Sequence, residues 1–239
     1  MNIAIIGYGK MGKTIEKIAE DRGHQIVLKI SSSNITAFTK ENLVKHKVDV
    51  AIEFTQPEAA LKNITTCFES GVNVVSGTTA WLNDWDKAIE KMKATECGFI
   101  YASNFSVGVN LFFALNKRLA ELMNPHTEYG VKIKEIHHTA KLDAPSGTAI
   151  TLAEGILENV DRKSEWSKID GNDEKLFVES VREDPAPGTH EIIYESEIDS
   201  IEIIHTAKSR QGFAMGAVLA AEYIFEKQGL YTMKDVLGI

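Results

Sequence analysis

The sequence predicts an α/β fold in two parts: an N-terminal parallel sheet wound with helices, then a second α+β domain with a mixed, partly open sheet. Three observations carry this. Short apolar runs alternate with amphipathic helical stretches through residues 1–105, the rhythm of βαβ units. A G-x-G-x-x-G sequence lies between the first apolar run and the first helical stretch. From residue 106 onward the strands instead alternate polar and apolar residues, with Val131 and Ile133 set against Lys132 and Lys134, which suits a sheet covered on one face.

The totals bound the answer. A chain of 239 residues makes one large domain or two modest ones. Apolar residues at 44% and charged residues at 25% are the balance of an ordinary soluble globular protein. A net charge of -8 with a pI near 5.4 argues against a nucleic-acid surface. Cys67 and Cys97 are the two cysteines, with neither a C-x-x-C spacing nor a nearby histidine. No disulfide framework or metal site is expected, in keeping with a reducing compartment. The apolar run in "MNIAIIGYG" is too short for a signal peptide, and no stretch approaches a membrane span, so a cytoplasmic location away from membranes is expected.

Taken in order, "NIAIIGYGKMGKTIEKIAEDRGHQIVLKI" reads as strand, glycine turn, helix, turn, strand. Gly7 permits the tight turn, Gly9 lets backbone approach a pyrophosphate, and Gly12 allows helix and strand to pack closely. The helix N-terminus then offers unpaired amides and a positive dipole to phosphates. This context predicts a Rossmann dinucleotide-binding domain. At the end of the second strand an Asp or Glu usually bonds the adenosine ribose. Here stand Ser31, Ser32, Ser33 and Asn34, which tolerate a 2'-phosphate, so NADPH is accommodated at least as well as NADH. Lys29 and Lys40 are candidate sources of added positive charge.

The rhythm continues. "VDVAIEFT" is a strand, and "PEAALKNITTCFESG" is a helix with proline near its start and glycine at its end. "NVVSGTT" is a strand and turn, residues 83–94 a helix, and "GFIYASNFS" a further strand. Ligands of such sheets lie beyond the carboxyl ends of the strands, which makes Gly77, Thr78, Thr79, Ser103, Asn104 and Phe105 candidate contacts. Capping and turn roles also fit these residues. "VGVNLFFALNKRLAELM" is a long helix, and "EYGVKIKEIHH", "KLFVESVRE", "HEIIYESE" and "SIEIIHTAKS" are strands. The polar stretch 161–174 reads as a surface loop. The helix "AMGAVLAAEYIFEKQG" returns to the first domain, giving residues 1–105 with 210–239, and a second domain of residues 106–209.

Residues 135–149, "EIHHTAKLDAPSGTA", concentrate the chemistry. A helix starts near Ser146, and the amides of Gly147 and Thr148 make a carboxylate-sized anion site. Lys141 can form a charge-assisted pair with the same or a second anion. His137 or His138 can exchange a proton near neutral pH. Adjacent histidines on a strand point to opposite faces, so both reach one ligand only if the strand ends by His137. Singly, these residues read as a helix cap, a surface lysine and satisfied histidines. Together, beside a nucleotide site, they read as anion capture and proton delivery during hydride reduction.

With these residues in hand, the chain resembles the dihydrodipicolinate reductase (4-hydroxy-tetrahydrodipicolinate reductase) family over almost its whole length. Residues 135–149 match the family signature E-x-H-H-x-x-K-x-D-A-P-S-G-T-A at every fixed position. "GYGKMG", "SGTT", "SNFSVGVN" and "HTAKSRQGFAMGA" support the match. The resemblance implies NADPH- or NADH-dependent reduction of 4-hydroxy-tetrahydrodipicolinate to tetrahydrodipicolinate, with loss of water, in lysine and diaminopimelate biosynthesis. It implies His137 as proton donor and acceptor, Lys141 as a second donor, and His138, Gly147 and Thr148 around a dicarboxylate substrate, to which the reading of the helix start adds Ser146. It places the cofactor against Gly7, Tyr8, Gly9, Lys10, Met11 and Gly12, Gly77, Thr78 and Thr79, and Ala102, Ser103, Asn104 and Phe105, to which the serine turn adds Ser32. No metal is implied, and a homotetramer assembled through the second domain is. Two departures stand out: the serines in place of the acidic ribose-binding residue, and "EDPAPGTHE", where the family has a glycine-rich stretch. Competing expectations are a dehydrogenase of the homoserine or aspartate type, and a nucleotide sensor without turnover.

Overall fold

Ile3, Ala4, Ile5 and Ile6 are fully buried, as a strand covered on both faces requires. In this computed structural model they belong to β1 (Asn2–Ile6), which leads into α1 (Lys10–Asp21) and β2 (Gln25–Ile30). The alternation continues with α2 (Lys40–Lys45), β3 (Val50–Glu53), α3 (Pro57–Phe68), β4 (Asn73–Ser76), α4 (Trp85–Thr95) and β5 (Gly98–Tyr101). The structure describes residues 1–170, 172–209 and 211–239. Gly171, inside the polar stretch 161–174, and Arg210, at the expected domain boundary, lie outside the described residues.

The next elements are α5 (Val107–Met123), β6 (Gly130–His137), α6 (Gly147–Leu157), β7 (Glu165–Ser167), β8 (Lys175–Arg182), β9 (Thr189–Glu195) and β10 (Ser200–Thr206). The chain ends with α7 (Gln211–Ile224), β11 (Gly229–Tyr231) and α8 (Met233–Leu237). It divides into two units, Met1–Val107 with Gln211–Ile239, and Gly108–Arg210.

The first unit is a six-stranded sheet of order β11-β5-β4-β3-β1-β2, with every neighbouring pair parallel. Both faces are covered. Ala60, Ile64 and Phe68 of α3 and Ala88 and Met92 of α4 pack on one side. Ile15 and Ala19 of α1 and Ala214, Ala217, Val218, Ala221 and Ile224 of α7 pack on the other. The small residues of α7 have a steric reason: a Cβ on Gly216 would lie 1.7 Å from the Phe105 carbonyl oxygen. Because β1 lies between β2 and β3, the order reverses there, and the C-terminal ends of β1 and β3 flank the crevice where such sheets bind ligands.

The second unit is a five-stranded mixed sheet, β10-β9-β6-β8-β7. Its central strand, β6, runs antiparallel to β9 and parallel to β8. Phe112 and Ala120 of α5 and Leu152 and Ile156 of α6 cover one face, meeting Ile133, Val178, Ile192 and Tyr194. Residues of the opposite face, such as Lys132, Lys134, Phe177 and Ile193, are only half-buried. The polar stretch read as a loop contains β7, which adds an edge to β8 and half-buries Trp166 against the core. Three residues are too few to show a strand period in sequence. Among the described residues no helix is long and apolar enough to cross a membrane.

Candidate active site

Two glycines close the turn after β1, and a third leaves room beside it. Gly7 has φ +98°, and a Cβ on it would lie 1.8 Å from the Phe54 carbonyl oxygen. A Cβ on Gly12 would lie 2.7 Å from the Gly7 carbonyl oxygen. A Cβ on Gly9 would meet nothing within 4 Å. Gly9 is also the N-cap of α1 and brings no side chain to the first-turn amides, which helix geometry leaves without an intrahelical acceptor. A cleft of about 590 Å³ opens here, lined by residues 7–11, Ser31, Ser32 and the chain after β3. Open space against an uncapped helix start fits a dinucleotide pyrophosphate.

The serine turn forms the rim of that cleft. The Ser31 amide donates to Asn34 Oδ1 at 2.7 Å, and Asn34 Nδ2 donates to the Lys29 carbonyl at 2.8 Å, which leaves Ser32 exposed on a fixed turn. Both candidate lysines are already paired. Lys29 binds Glu16, which also takes the Tyr8 hydroxyl, and Lys40 binds Glu69. The rim therefore presents hydroxyls and no carboxylate.

The strand ends beyond it are organised by a buried acid that the sequence reading did not single out. Glu53, at the end of β3, is fully buried and accepts hydrogen bonds from the hydroxyls of Thr55, Ser76 (2.8 Å) and Thr78 (2.9 Å). The Thr78 hydroxyl also accepts from the Thr55 amide at 2.7 Å. That side chain ties two loops together instead of facing outward. A Cβ on Gly77 would strike the Phe54 ring at 2.3 Å, so Gly77 is required by packing. The Phe105 ring is 1% exposed and lies 5.7 Å from that of Phe54, which makes its side chain part of the core. Thr79 and Ser103 are exposed, and Ala102 and Asn104 half-buried.

In the second unit, one face of β6 carries Val131, Ile133, Glu135 and His137, all buried. The period of two that builds the core at one end of the strand places two ionisable groups at the other. Neighbouring strands set Ser180 and His190 beside Glu135, and Arg182 beside His137. The Glu135 carboxylate sets Oε2 against His137 Nδ1, and its Oε1 accepts from Arg182 Nη2 at 2.8 Å. Arg182 also donates to the carbonyls of Lys141 (3.3 Å) and Asp143 (2.6 Å). His190 Nε2 lies 3.1 Å from Ser146 Oγ, and its ring is edge-on to His137 at 5.2 Å.

Burial pushes His137 below the ordinary histidine value, outweighing the pull of Glu135 in the other direction. Burial and the neighbouring His137 push His190 down to about 4. Burial works to raise Glu135, but the hydrogen bond from Arg182, with Ser180 and His137 nearby, holds it below the ordinary value. Donor atoms of Glu135, His137 and His190 lie within 4.8 Å of one another, a spacing that would also suit a cation. The Arg182 guanidinium already balances the one carboxylate, so the charge of the cluster is met without one.

β6 ends at His137, and the His138 carbonyl accepts the Lys141 amide at 3.0 Å in the turn that follows. Ser146 is the N-cap of α6: its buried Oγ accepts the Ala149 amide at 3.2 Å and faces His190. Gly147 is exposed with open space around it, and Thr148 is half-buried. The structure thus gathers His137, Ser146 and the backbone of the Lys141 turn around Glu135, Arg182 and His190. Those last three were not among the residues expected at the site. Only the spacing of Glu135 two residues before His137 hinted at one shared face. The divergent loop before β9 packs here too: a Cβ on Gly188 would lie 3.1 Å from His137 Nε2, and Asp184 accepts the Thr139 hydroxyl at 2.6 Å.

A nucleotide cradle on a doubly covered parallel sheet, with an imidazole backed by a carboxylate and an open helix start in a second unit, defines the two-unit class of nicotinamide-dependent oxidoreductases. Within that class the chain belongs to the dihydrodipicolinate reductase family, whose N-terminal part matches residues 1–105 and C-terminal part residues 108–237. It is 54% identical over 238 residues to the 4-hydroxy-tetrahydrodipicolinate reductase of Christiangramia forsetii, covering 100% of this chain and 98% of that one. Identity to the Neisseria gonorrhoeae enzyme of the same name is 36% over 232 residues, covering 94% of this chain and 84% of that one. Dipicolinate-bound dihydrodipicolinate reductase from Paenisporosarcina sp. TG-14 has the same fold, with a TM-score of 0.78 at 24% identity over 98% of each chain. An amine dehydrogenase from Mycobacterium smegmatis is more distant, at 0.61 and 12% over 98% of this chain and 95% of that one.

Proposed function

We propose that this chain reduces 4-hydroxy-tetrahydrodipicolinate to tetrahydrodipicolinate with loss of water, using NADPH or NADH, in lysine and diaminopimelate biosynthesis. The observation that carries the reading is the second-unit cluster: one strand end, one turn and one helix start bring His137, Lys141 and Ser146 into a connected network in a member of this family.

The bound reduced nicotinamide supplies the hydride. Gly9, whose own amide donates to the Gly7 carbonyl, would leave room for the pyrophosphate against the amides of residues 10–12, with Tyr8 and Ser32 toward the adenosine end and Thr79, Ala102, Ser103 and Asn104 toward the nicotinamide end. Gly77, Thr78 and Phe105 act through the backbone they place. Lys141, His138 and the amides of Gly147 and Thr148 hold the two carboxylates of the substrate, while Ser146 keeps α6 capped so that those amides stay directed outward. His137 delivers the proton that the ring gains with the hydride. Its Nδ1 faces the Glu135 carboxylate, and Nε2 is the atom assigned to transfer. Lys141 serves as second proton donor.

The half-buried face of the second unit's sheet, with Phe177, Ile193 and the 55% exposed Ile204, supports assembly into a homotetramer. Two buried, unpaired cysteines accord with a cytoplasmic setting.

The test is oxidation of NADPH and NADH, followed optically, with the cyclic substrate generated enzymatically. Turnover with at least one cofactor is expected. A folded protein that oxidises neither would remove this reading, and turnover only with an amino-acid aldehyde or keto acid would move it to the homoserine or aspartate dehydrogenase type.

A further inference from the structure

We propose that Arg182 and Glu135 are positioning residues that set His137 and the Lys141 turn as one unit, with the Glu135 carboxylate fixing the proton of His137 on Nδ1. The inference rests on the functional reading above, which assigns the proton to His137 and Lys141.

Glu135 is fully buried, and a buried carboxylate persists only when paired and hydrogen-bonded. Its Oε1 takes the Arg182 guanidinium at 2.8 Å, and its Oε2 lies against His137 Nδ1. The fork of Arg182 does not stop there. Nη1 donates to the carbonyl of Val181, Nε to that of Lys141, and Nη2 to that of Asp143. One guanidinium therefore holds the carboxylate behind the imidazole and the main chain on both sides of Leu142. A lysine there could not span these acceptors, because its ammonium lacks the planar fork.

The same arrangement sets the imidazole's chemistry. The charged groups around His137 are Glu135 on its own strand, Lys141 in the following turn, Arg182 on β8 and His190 on β9, with His205 of β10 acting on His190. Among these described residues Glu135 favours the protonated imidazole. Lys141 and Arg182 oppose it, as does burial. Removing the carboxylate therefore leaves a histidine that protonates at lower pH and has no partner selecting its tautomer.

Glu135→Gln and Arg182→Lys in the full-length protein test this. Glu135→Gln is expected to lower kcat by about 100-fold near neutral pH. It should move the descending limb of the pH profile to lower pH and leave the KM for NAD(P)H unchanged, while Glu135→Asp restores part of the rate. Arg182→Lys is expected to raise the substrate KM as well, because the turn carbonyls lose their donors. Nitrogen-detected NMR of the parent protein is expected to show His137 with its proton on Nδ1, and Glu135→Gln a mixture of tautomers. Parent kcat and pH profile in a folded Glu135→Gln variant would overturn the proposal while leaving the assigned reaction intact. If Glu135→Gln does not fold, the parent spectrum decides: a proton on Nε2 of neutral His137 overturns it. The spectrum also remains readable if the assigned reaction itself fails.

Discussion

Lys141 Nζ lies 2.8 and 2.9 Å from the two carboxylate oxygens of Asp143, and the Asp143 carbonyl is in turn held by Arg182. Without substrate the lysine already has an anion, which a substrate carboxylate must displace. Lys141→Ala is expected to lower kcat by about 100-fold and weaken pyridine dicarboxylate inhibitors, with NAD(P)H affinity unchanged. Asp143→Asn is expected to tighten the same inhibitors by about two- to fivefold, the scale of an exposed ion pair. Titration calorimetry reads both. An inhibitor affinity indifferent to Lys141 would place the carboxylates elsewhere.

Gly7 and Gly9 separate a folding role from a binding role two residues apart. Gly7→Ala puts a side chain at φ +98° and into the Phe54 carbonyl, so thermal stability should fall by several degrees. Gly9→Ala meets no atom of the described residues within 4 Å, so stability should hold while NAD(P)H affinity falls by about tenfold or more. Thermal melts with and without cofactor distinguish the two. A Gly9→Ala variant that binds cofactor like the parent would show that the cleft is not the nucleotide site.

Ser32 stands exposed on a turn fixed by Asn34, with Lys29 held by Glu16. Ser32→Asp is expected to shift the ratio of kcat/KM for NADPH over NADH by about tenfold toward NADH, through repulsion of a 2'-phosphate. An unchanged ratio would show that this turn does not select the cofactor.

His190 gives a pH-dependent stability of definite sign. Folded His190 titrates at about 4, against 6.5 for a free histidine, because burial disfavours its charge. Between those values the unfolded chain binds a proton that the folded chain refuses. The contribution is therefore complete above pH 6.5 and is lost as pH falls toward 4, by something on the order of 3 kcal/mol. His190→Gln, which keeps a nitrogen within reach of Ser146, should flatten stability across that window in denaturant titrations. A variant with the parent's slope would assign the acid sensitivity to other groups.

What was legible in the sequence was local. The spacing of Gly7, Gly9 and Gly12 specified a turn, an opening and a close contact, and each is a property of a few consecutive residues. The helix start at Ser146 and the two-residue period of β6 are local in the same sense. Partners set by strand register were not legible: Arg182 and His190 reach Glu135 only because β8 and β9 flank β6 at one offset. Side chains that turned inward, such as Thr78 onto Glu53 and Phe105 onto Phe54, could not be told from outward ones at the same strand ends. β7 escaped notice because an edge of three residues has no period to read.

The order of α7 in the chain bears on how the molecule forms during synthesis. Ile3, Ile5, Val50, Ile52, Val75 and Ile100 share one core with the apolar face of α7 (Gln211–Ile224). All of residues 108–210 leave the ribosome before that covering helix does. The nascent first sheet therefore waits, with the part of one apolar flank that α1 does not cover left bare, until the intervening hundred or so residues have been translated. Chaperone demand should peak in that interval and end when the late helix arrives.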